Sequence, residues 1–194
     1  MATYPKPFVT VEEYLTQEAT ALERHEYLQG EVFAMAGGSP DHSIINTNTL
    51  SELNRQLRGR SCRTFDSNQA VRTSPGGLYT YPDAAVACAP RQFEGLILLN
   101  PVLLVEVLSP NTEAYDRGRK FELYREIPSF QEYLLIAQDR PSVDRYWRDR
   151  EDRNLWMLYT YRNLAEVIIC ASIGVELALS ELYRDVSFLD RSPA

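Results

Sequence analysis

A chain of 194 residues that is 44% hydrophobic and 24% charged has the make-up of one globular domain, able to bury roughly 70% of its unfolded surface. The net charge of −7 argues against a broad basic footprint for nucleic acid, although acidic metal ligands count toward that total until a cation binds. No apolar run approaches the ~20 residues of a membrane span, and Met1-Ala2-Thr3-Tyr4-Pro5-Lys6 lacks the apolar core of a signal peptide. The three cysteines, Cys62, Cys88 and Cys170, form no CxxC pair and are odd in number, so neither a zinc site nor a disulfide framework is expected. These features point to a cytoplasmic protein with no membrane partner. Of 20 basic residues only Lys6 and Lys120 are lysines; an interior lysine among arginines asks for a reason.

Thr10-Val11-Glu12-Glu13 reads as a capping box that opens a short helix to about Glu18. His25 to Ala36 reads as a hairpin turning at Gln29-Gly30. Ser39-Pro40 supplies an N-cap and a first-turn proline for a helix with Ile45, Leu50, Leu53 and Leu57 on one side, ending near Gly59. Cys62 to Arg72 alternates like a strand, Pro75-Gly76-Gly77 turns the chain, and Tyr79 to Cys88 follows as another strand. Arg91 to Asn100 reads as a loop. Pro101 to Leu108 is a continuous apolar strand of the kind covered on both faces. Ser109-Pro110-Asn111-Thr112 breaks it and caps a helix from Glu113 to Glu126, stopped by Ile127-Pro128. Glu132 to Ala137 is a strand, Val143 to Arg148 and Leu155 to Tyr161 form a hairpin, Val167 to Leu179 holds one or two strands, and Leu182-Tyr183 closes a short helix. The order predicts a single α/β (α+β) domain over residues 1–194: a mixed central sheet flanked by helices, one helix crossing between central strands, and an additional strand-rich C-terminal part.

Two carboxylates stand in apolar strands where a charge costs several kcal/mol unless paired. Asp83 precedes Ala84-Ala85-Val86-Ala87-Cys88, and Glu106 interrupts Val102 to Leu108. They lie 23 positions apart (106 − 83) on strands read as neighbours, about 4.8 Å apart, so a divalent cation between them would resolve both charges. For Asp83 alone, a turn residue after proline is the commoner explanation; for Glu106 the alternative is a buried arginine partner. Lys120 lies 14 positions after Glu106 (120 − 106), on the following helix with Tyr124 and Ile127 on its side. Its plain alternative is a surface pair with Asp116 at i−4. Trp147 and Trp156 read as core or rim.

Pro82-Asp83, Glu106-Val107-Leu108-Ser109, Asp116 and Lys120 together resemble the restriction-endonuclease-like PD-(D/E)XK superfamily. More closely, the chain resembles the Uma family, a widespread group classed with the endonucleases. The resemblance extends to Glu26-Tyr27-Leu28-Gln29-Gly30-Glu31, Met35-Ala36-Gly37-Gly38-Ser39, His42, Ser109-Pro110-Asn111-Thr112, Tyr115-Asp116-Arg117, Tyr124 and Glu132-Tyr133-Leu134-Leu135, over about residues 8–185. It implies that Asp83, Glu106 and the Val107 carbonyl hold Mg²⁺, with Mn²⁺ as a substitute. The superfamily lysine stands two residues after the glutamate; that position is Leu108 here, and Lys120 takes its role. A further glutamate from an N-terminal element matches Glu26, with Glu31 in reserve. His42, Ser109 and Arg117 are the expected substrate contacts, although a lone histidine near a helix start more often caps or packs.

The resemblance implies metal-dependent phosphodiester hydrolysis of nucleic acid, DNA foremost, by a catalytic set of Asp83, Glu106, Lys120 and Glu26; double-strand cleavage from one site per chain favours a homodimer. The alternatives are an inactive nucleic-acid-binding or interaction module on the same scaffold, and a metal hydrolase of another phosphate ester.

Overall fold

Among the described residues, two six-stranded sheets and a separate two-stranded hairpin make up the strand content. The computed structural model describes residues 8–35 and 37–188; Lys6 and Ala36 lie outside them. In chain order the elements are α1 (Val11–Glu18), β1 (His25–Leu28), β2 (Glu31–Ala34), α2 (Pro40–Leu57), β3 (Cys62–Asp66), β4 (Val71–Arg72), β5 (Tyr79–Thr80), β6 (Ala84–Cys88), β7 (Phe93–Glu94), β8 (Ile97–Leu98) and β9 (Leu103–Leu108). Then follow α3 (Glu113–Tyr115), a π-helical turn (Asp116–Lys120), α4 (Phe121–Tyr124), β10 (Glu132–Ala137), β11 (Val143–Arg148), β12 (Trp156–Tyr161), β13 (Val167–Cys170), β14 (Val175–Ala178) and α5 (Leu179–Leu182). Local chemistry sets several boundaries: Thr10 and Glu13 form the capping box of α1, Ser39 caps α2 with Pro40 behind it, and Gln29 and Gly30 take positive φ in the first hairpin turn.

The central sheet runs β12-β11-β10-β9-β6-β3. β9 and β10 are parallel, joined by the crossover helix of α3, the π turn and α4, and every residue of both strands is buried. On one face Leu103, Val105, Val107, Leu134 and Ile136 pack with Ile45, Leu53 and Leu57 of α2 and with Ile168, Val175, Leu177 and Leu179. On the other, Leu104, Leu108, Tyr133 and Leu135 meet Tyr124 of the crossover helix and Val71, Leu78 and Leu98 of the first sheet. That first sheet, β2-β1-β5-β4-β8-β7, carries Tyr27 and Tyr79 against Tyr14 of α1.

The chain crosses between sheets more often than alternation implies. The strand expected over 62–72 divides into β3 in the central sheet and β4 in the first. The strand expected over 79–88 divides at Tyr81-Pro82-Asp83, where proline has no N–H to continue a ladder. The expected loop over 91–100 contains the β7–β8 hairpin, turned at Gly95 with φ +58°. The expected helix over 113–126 stops at Tyr124 and opens into the π turn, where the Tyr133 hydroxyl donates to the Asp116 carbonyl at 3.3 Å. The cysteine expectation is corrected: Cys62 and Cys88 are direct cross-strand partners and form a disulfide, while Cys170 is buried and free. An odd count carries no information about register. Among the described residues, no helix is long and apolar enough to cross a membrane.

Candidate active site between the two sheets

Asp83 sits where the chain leaves the first sheet and enters the central one. β6 pairs with β9 through Ala84 and Val105, so the next step of that antiparallel register sets Asp83 opposite Glu106. Both share the sheet face of Ala85, Leu104 and Leu108, which is covered by the crossover helix. The Asp83 Oδ2 accepts a hydrogen bond from the Val107 N–H at 2.7 Å, and the ring Nε2 of His42 lies 3.3 Å from the same oxygen. The Tyr124 hydroxyl donates to Glu106 Oε1 at 2.7 Å, and Lys120 Nζ lies 2.9 Å from the same Oε1. Each carboxylate is thus held through one named oxygen, Oδ2 of Asp83 and Oε1 of Glu106.

Lys120 has the reason an interior lysine needs. It is buried and also lies 3.0 Å from Glu26 Oε1 and 3.6 Å from Asp116 Oδ1, so it ties β1, β9 and its own helix together. The i−4 pair with Asp116 exists, but deep in the protein. Glu26 shares the inward face of β1 with Leu28, and the Thr80 hydroxyl donates to its Oε1. A cavity of about 390 Å³ opens here, lined by Glu26, His42, Asp83, Glu106, Asp116 and Lys120 among others.

The electrostatics show a surplus of negative charge. Burial, reinforced by Asp116 and Asp83 and opposed by Lys120 and Tyr124, pushes the Glu106 carboxyl up to about 8. Burial likewise raises Asp116, against the attraction of Lys120. Burial opposes the Lys120 charge, yet Glu106, Glu26 and Asp116 outweigh it and hold the ammonium well above its ordinary range. For His42, burial is overcome by the hydrogen bond to Asp83, its charge and a bond to the Val107 backbone, so its pKa rises. Gly38 makes room for that ring, since a Cβ there would stand 2.7 Å from His42 Nδ1.

Four carboxylates facing one lysine and one histidine form a donor set that suits a hard divalent cation. Among the described residues, no three His, Cys, Asp or Glu side chains form a ready-made metal cage. Asp83 and Glu106 are the two carboxylates that converge on one sheet face here, and hard divalent cations take carboxylate oxygens.

Of the expected substrate contacts, His42 and Ser109 line the cavity. His42 meets Asp83, and the Ser109 hydroxyl bonds that of Thr112 at 3.0 Å. Arg117 is not brought in: it pairs with Glu113 at 2.8 Å and with Asp144. Glu31 is exposed at the start of β2 and does not line the cavity. Glu106 has a buried lysine, not an arginine, as its partner. Sequence reasoning did not assign roles to Asp116, Tyr124 and Thr80. The spacing of Tyr124 and Asp116 four residues either side of Lys120 was the available signal for the first two.

The fold has a solved counterpart. It matches, with a TM-score of 0.72 and 20% identity over 90% of this chain and 97% of the other, the crystal structure of "a putative nuclease belonging to DUF820" from Anabaena variabilis ATCC 29413. Residues 11–181 match the Uma2 family, described as "Putative restriction endonuclease", and the chain belongs to that family. The chain is also 37% identical over 185 residues to the uncharacterized protein slr1290 of Synechocystis sp. (strain ATCC 27184 / PCC 6803 / Kazusa), covering 95% of this chain and 96% of the relative. It is 34% identical over 155 residues to sll1609 of the same organism, covering 77% and 85%.

Proposed function

We propose that this protein is a Mg²⁺-dependent nuclease that hydrolyses phosphodiester bonds in nucleic acid, with Mn²⁺ able to substitute. The observation that carries this reading is the convergence of Asp83 and Glu106, each tethered through one oxygen, beside a buried lysine in an open cavity. Asp83, Glu106 and the Val107 carbonyl would hold the cation. When bound, it supplies positive charge to the phosphate and acidifies water.

The chain's own residues do the rest. The Val107 N–H and His42 fix the Asp83 carboxylate, and Tyr124 and Lys120 fix Glu106, so the donors are set before substrate arrives. Lys120, with Nζ 2.9 Å from Glu106 Oε1, is placed to orient the attacking water and to offset charge on the phosphate oxygens. Glu26, held by Thr80, keeps that ammonium over the cavity.

The test is cleavage of labelled DNA and RNA by the purified chain with Mg²⁺ or Mn²⁺, alongside thermal melting with each metal. Cleavage and a metal-dependent rise in Tm, both lost in Asp83→Ala, are the expected outcome. No cleavage together with no metal response overturns the proposal. A metal response with cleavage of other phosphate esters alone moves the substrate class.

A further inference from the structure

Five side-chain hydroxyls line the cavity among the described residues, those of Ser39, Tyr81, Ser109, Thr112 and Tyr115, and four of them are already engaged. Ser39 donates to Gln138 Oε1 at 2.6 Å, Tyr81 donates to Glu18 Oε1 at 3.0 Å, and Ser109 and Thr112 bond each other at 3.0 Å. Tyr115 differs. Its hydroxyl makes no hydrogen bond among the described residues, and it is not one of the buried side-chain atoms left without a partner, so it is open to solvent. The charges that act on it are those of Glu26, Lys120, Asp116 and Glu106, the groups of the site itself.

The backbone sets Tyr115 there. In a regular α-helix, residues five apart are rotated by about 140° (five steps of ~100°) and do not share a face. The turn Asp116–Lys120 is π-helical, and its i→i+5 spacing takes more residues to complete a revolution. Tyr115 precedes that turn and Lys120 ends it, so the two come to one side, with Lys120 Nζ 6.0 Å from the Tyr115 ring centroid. Single π turns occur frequently at functional sites. Here the widened turn has a specific product, a phenol beside the ammonium.

We infer that, on the nuclease reading above, Tyr115 is a further catalytic residue whose O–H donates a hydrogen bond to a non-bridging oxygen of the scissile phosphate, alongside Lys120. A phenol donates while uncharged near neutral pH, so it brings no second positive charge into a site that must also take a metal. Such a donor gains strength as charge gathers on the phosphate oxygens in the transition state. Its loss therefore falls on kcat and not on KM.

The experiment is steady-state cleavage of labelled DNA and RNA by the full chain with Mg²⁺ or Mn²⁺, with thermal melts of each variant with and without Mn²⁺. Tyr115→Phe keeps the ring beside Lys120 and deletes the hydroxyl alone. It is expected to lower kcat about 10²-fold with KM nearly unchanged, while Mn²⁺ raises its Tm as much as that of the unaltered chain. Tyr81→Phe, which deletes an engaged hydroxyl from the same wall, should lower the metal-free Tm and leave kcat in place. An unchanged kcat in Tyr115→Phe overturns the inference, as does a loss on KM alone, a loss that takes the metal response with it, or an equal loss in Tyr81→Phe. If the unaltered chain cleaves neither nucleic acid, the nuclease reading falls and the inference with it; if it cleaves and Tyr115→Phe keeps its kcat, the inference alone fails.

Discussion

Glu106 and Glu132 pose one physical problem in two places of the central sheet, and the protein answers it differently. Glu132, at the start of β10, uses both oxygens. Its Oε1 accepts from Arg145 Nε at 2.9 Å and from the neighbouring guanidinium nitrogen; its Oε2 accepts from the Ser172 N–H at 3.0 Å and from its hydroxyl. Arg145 then stacks on Trp147, 4.5 Å from the ring centroid. That pair is closed: one cation, one anion and every acceptor filled. Glu106 instead bonds through Oε1 and shares its cation with Glu26 and Asp116; both glutamates line a cavity, so the difference lies in the partners. A buried ion pair with its hydrogen bonds complete is architecture, whereas a surplus of carboxylates beside open space is a place for a positive ligand.

The widest separation between the two sites should come from their response to metal. Asp83→Ala is expected to abolish the Mn²⁺-dependent rise in Tm and to lower cleavage by about 10³-fold, while Glu132→Gln leaves the metal response intact; a metal response surviving in Asp83→Ala erases the distinction. Next in size is stability. Arg145→Ala strands a buried carboxylate and should cost about 3–5 kcal/mol, read from the urea midpoint. Glu106→Gln removes an unwelcome charge and should raise the metal-free Tm at pH 8.

The pH dependence is smaller and has a definite sign. The Glu106 pKa is raised to about 8 in the fold from an unfolded value of about 4.3. The folded chain therefore holds more protons than the unfolded one between those values. This contribution to metal-free stability is fully present below the unfolded pKa and is lost as pH rises through about 8. Thermal melts across that window should slope downward, and Glu106→Gln should flatten the slope. The smallest effect belongs to Tyr124→Phe, which deletes one hydrogen bond to Glu106 while keeping the ring. A loss of about 1 kcal/mol with severalfold weaker Mn²⁺ binding is expected; unchanged Mn²⁺ affinity assigns Tyr124 to packing alone.

The legible parts of the site were those where local chemistry contradicts its surroundings. Asp83 and Glu106 stand out because their flanks are apolar, and Lys120 because the chain otherwise uses arginine. Asp116 was hidden because an i, i+4 acid–lysine pair reads as a solvated helix face, and a regular helical wheel does not anticipate a π turn. The mixed sheet and its crossover helix could be read from the apolar runs of β9 and β10. The division into two sheets could not, because residues 62–72 and 79–88 alternate smoothly across the points where the chain changes sheets. Arg117 fell away for a tertiary reason, as Asp144 from β11 reaches it.

The break at Tyr81-Pro82-Asp83 also divides the work of the site between two pieces of architecture. The central sheet and its crossover helix carry Asp83, Glu106, Asp116 and Lys120, while the β1–β2 hairpin brings Glu26 to the same cavity. In evolutionary terms this is a hull with an exchangeable prow. Hairpin positions other than Glu26 can therefore vary without disturbing the strand register that sets Asp83 opposite Glu106.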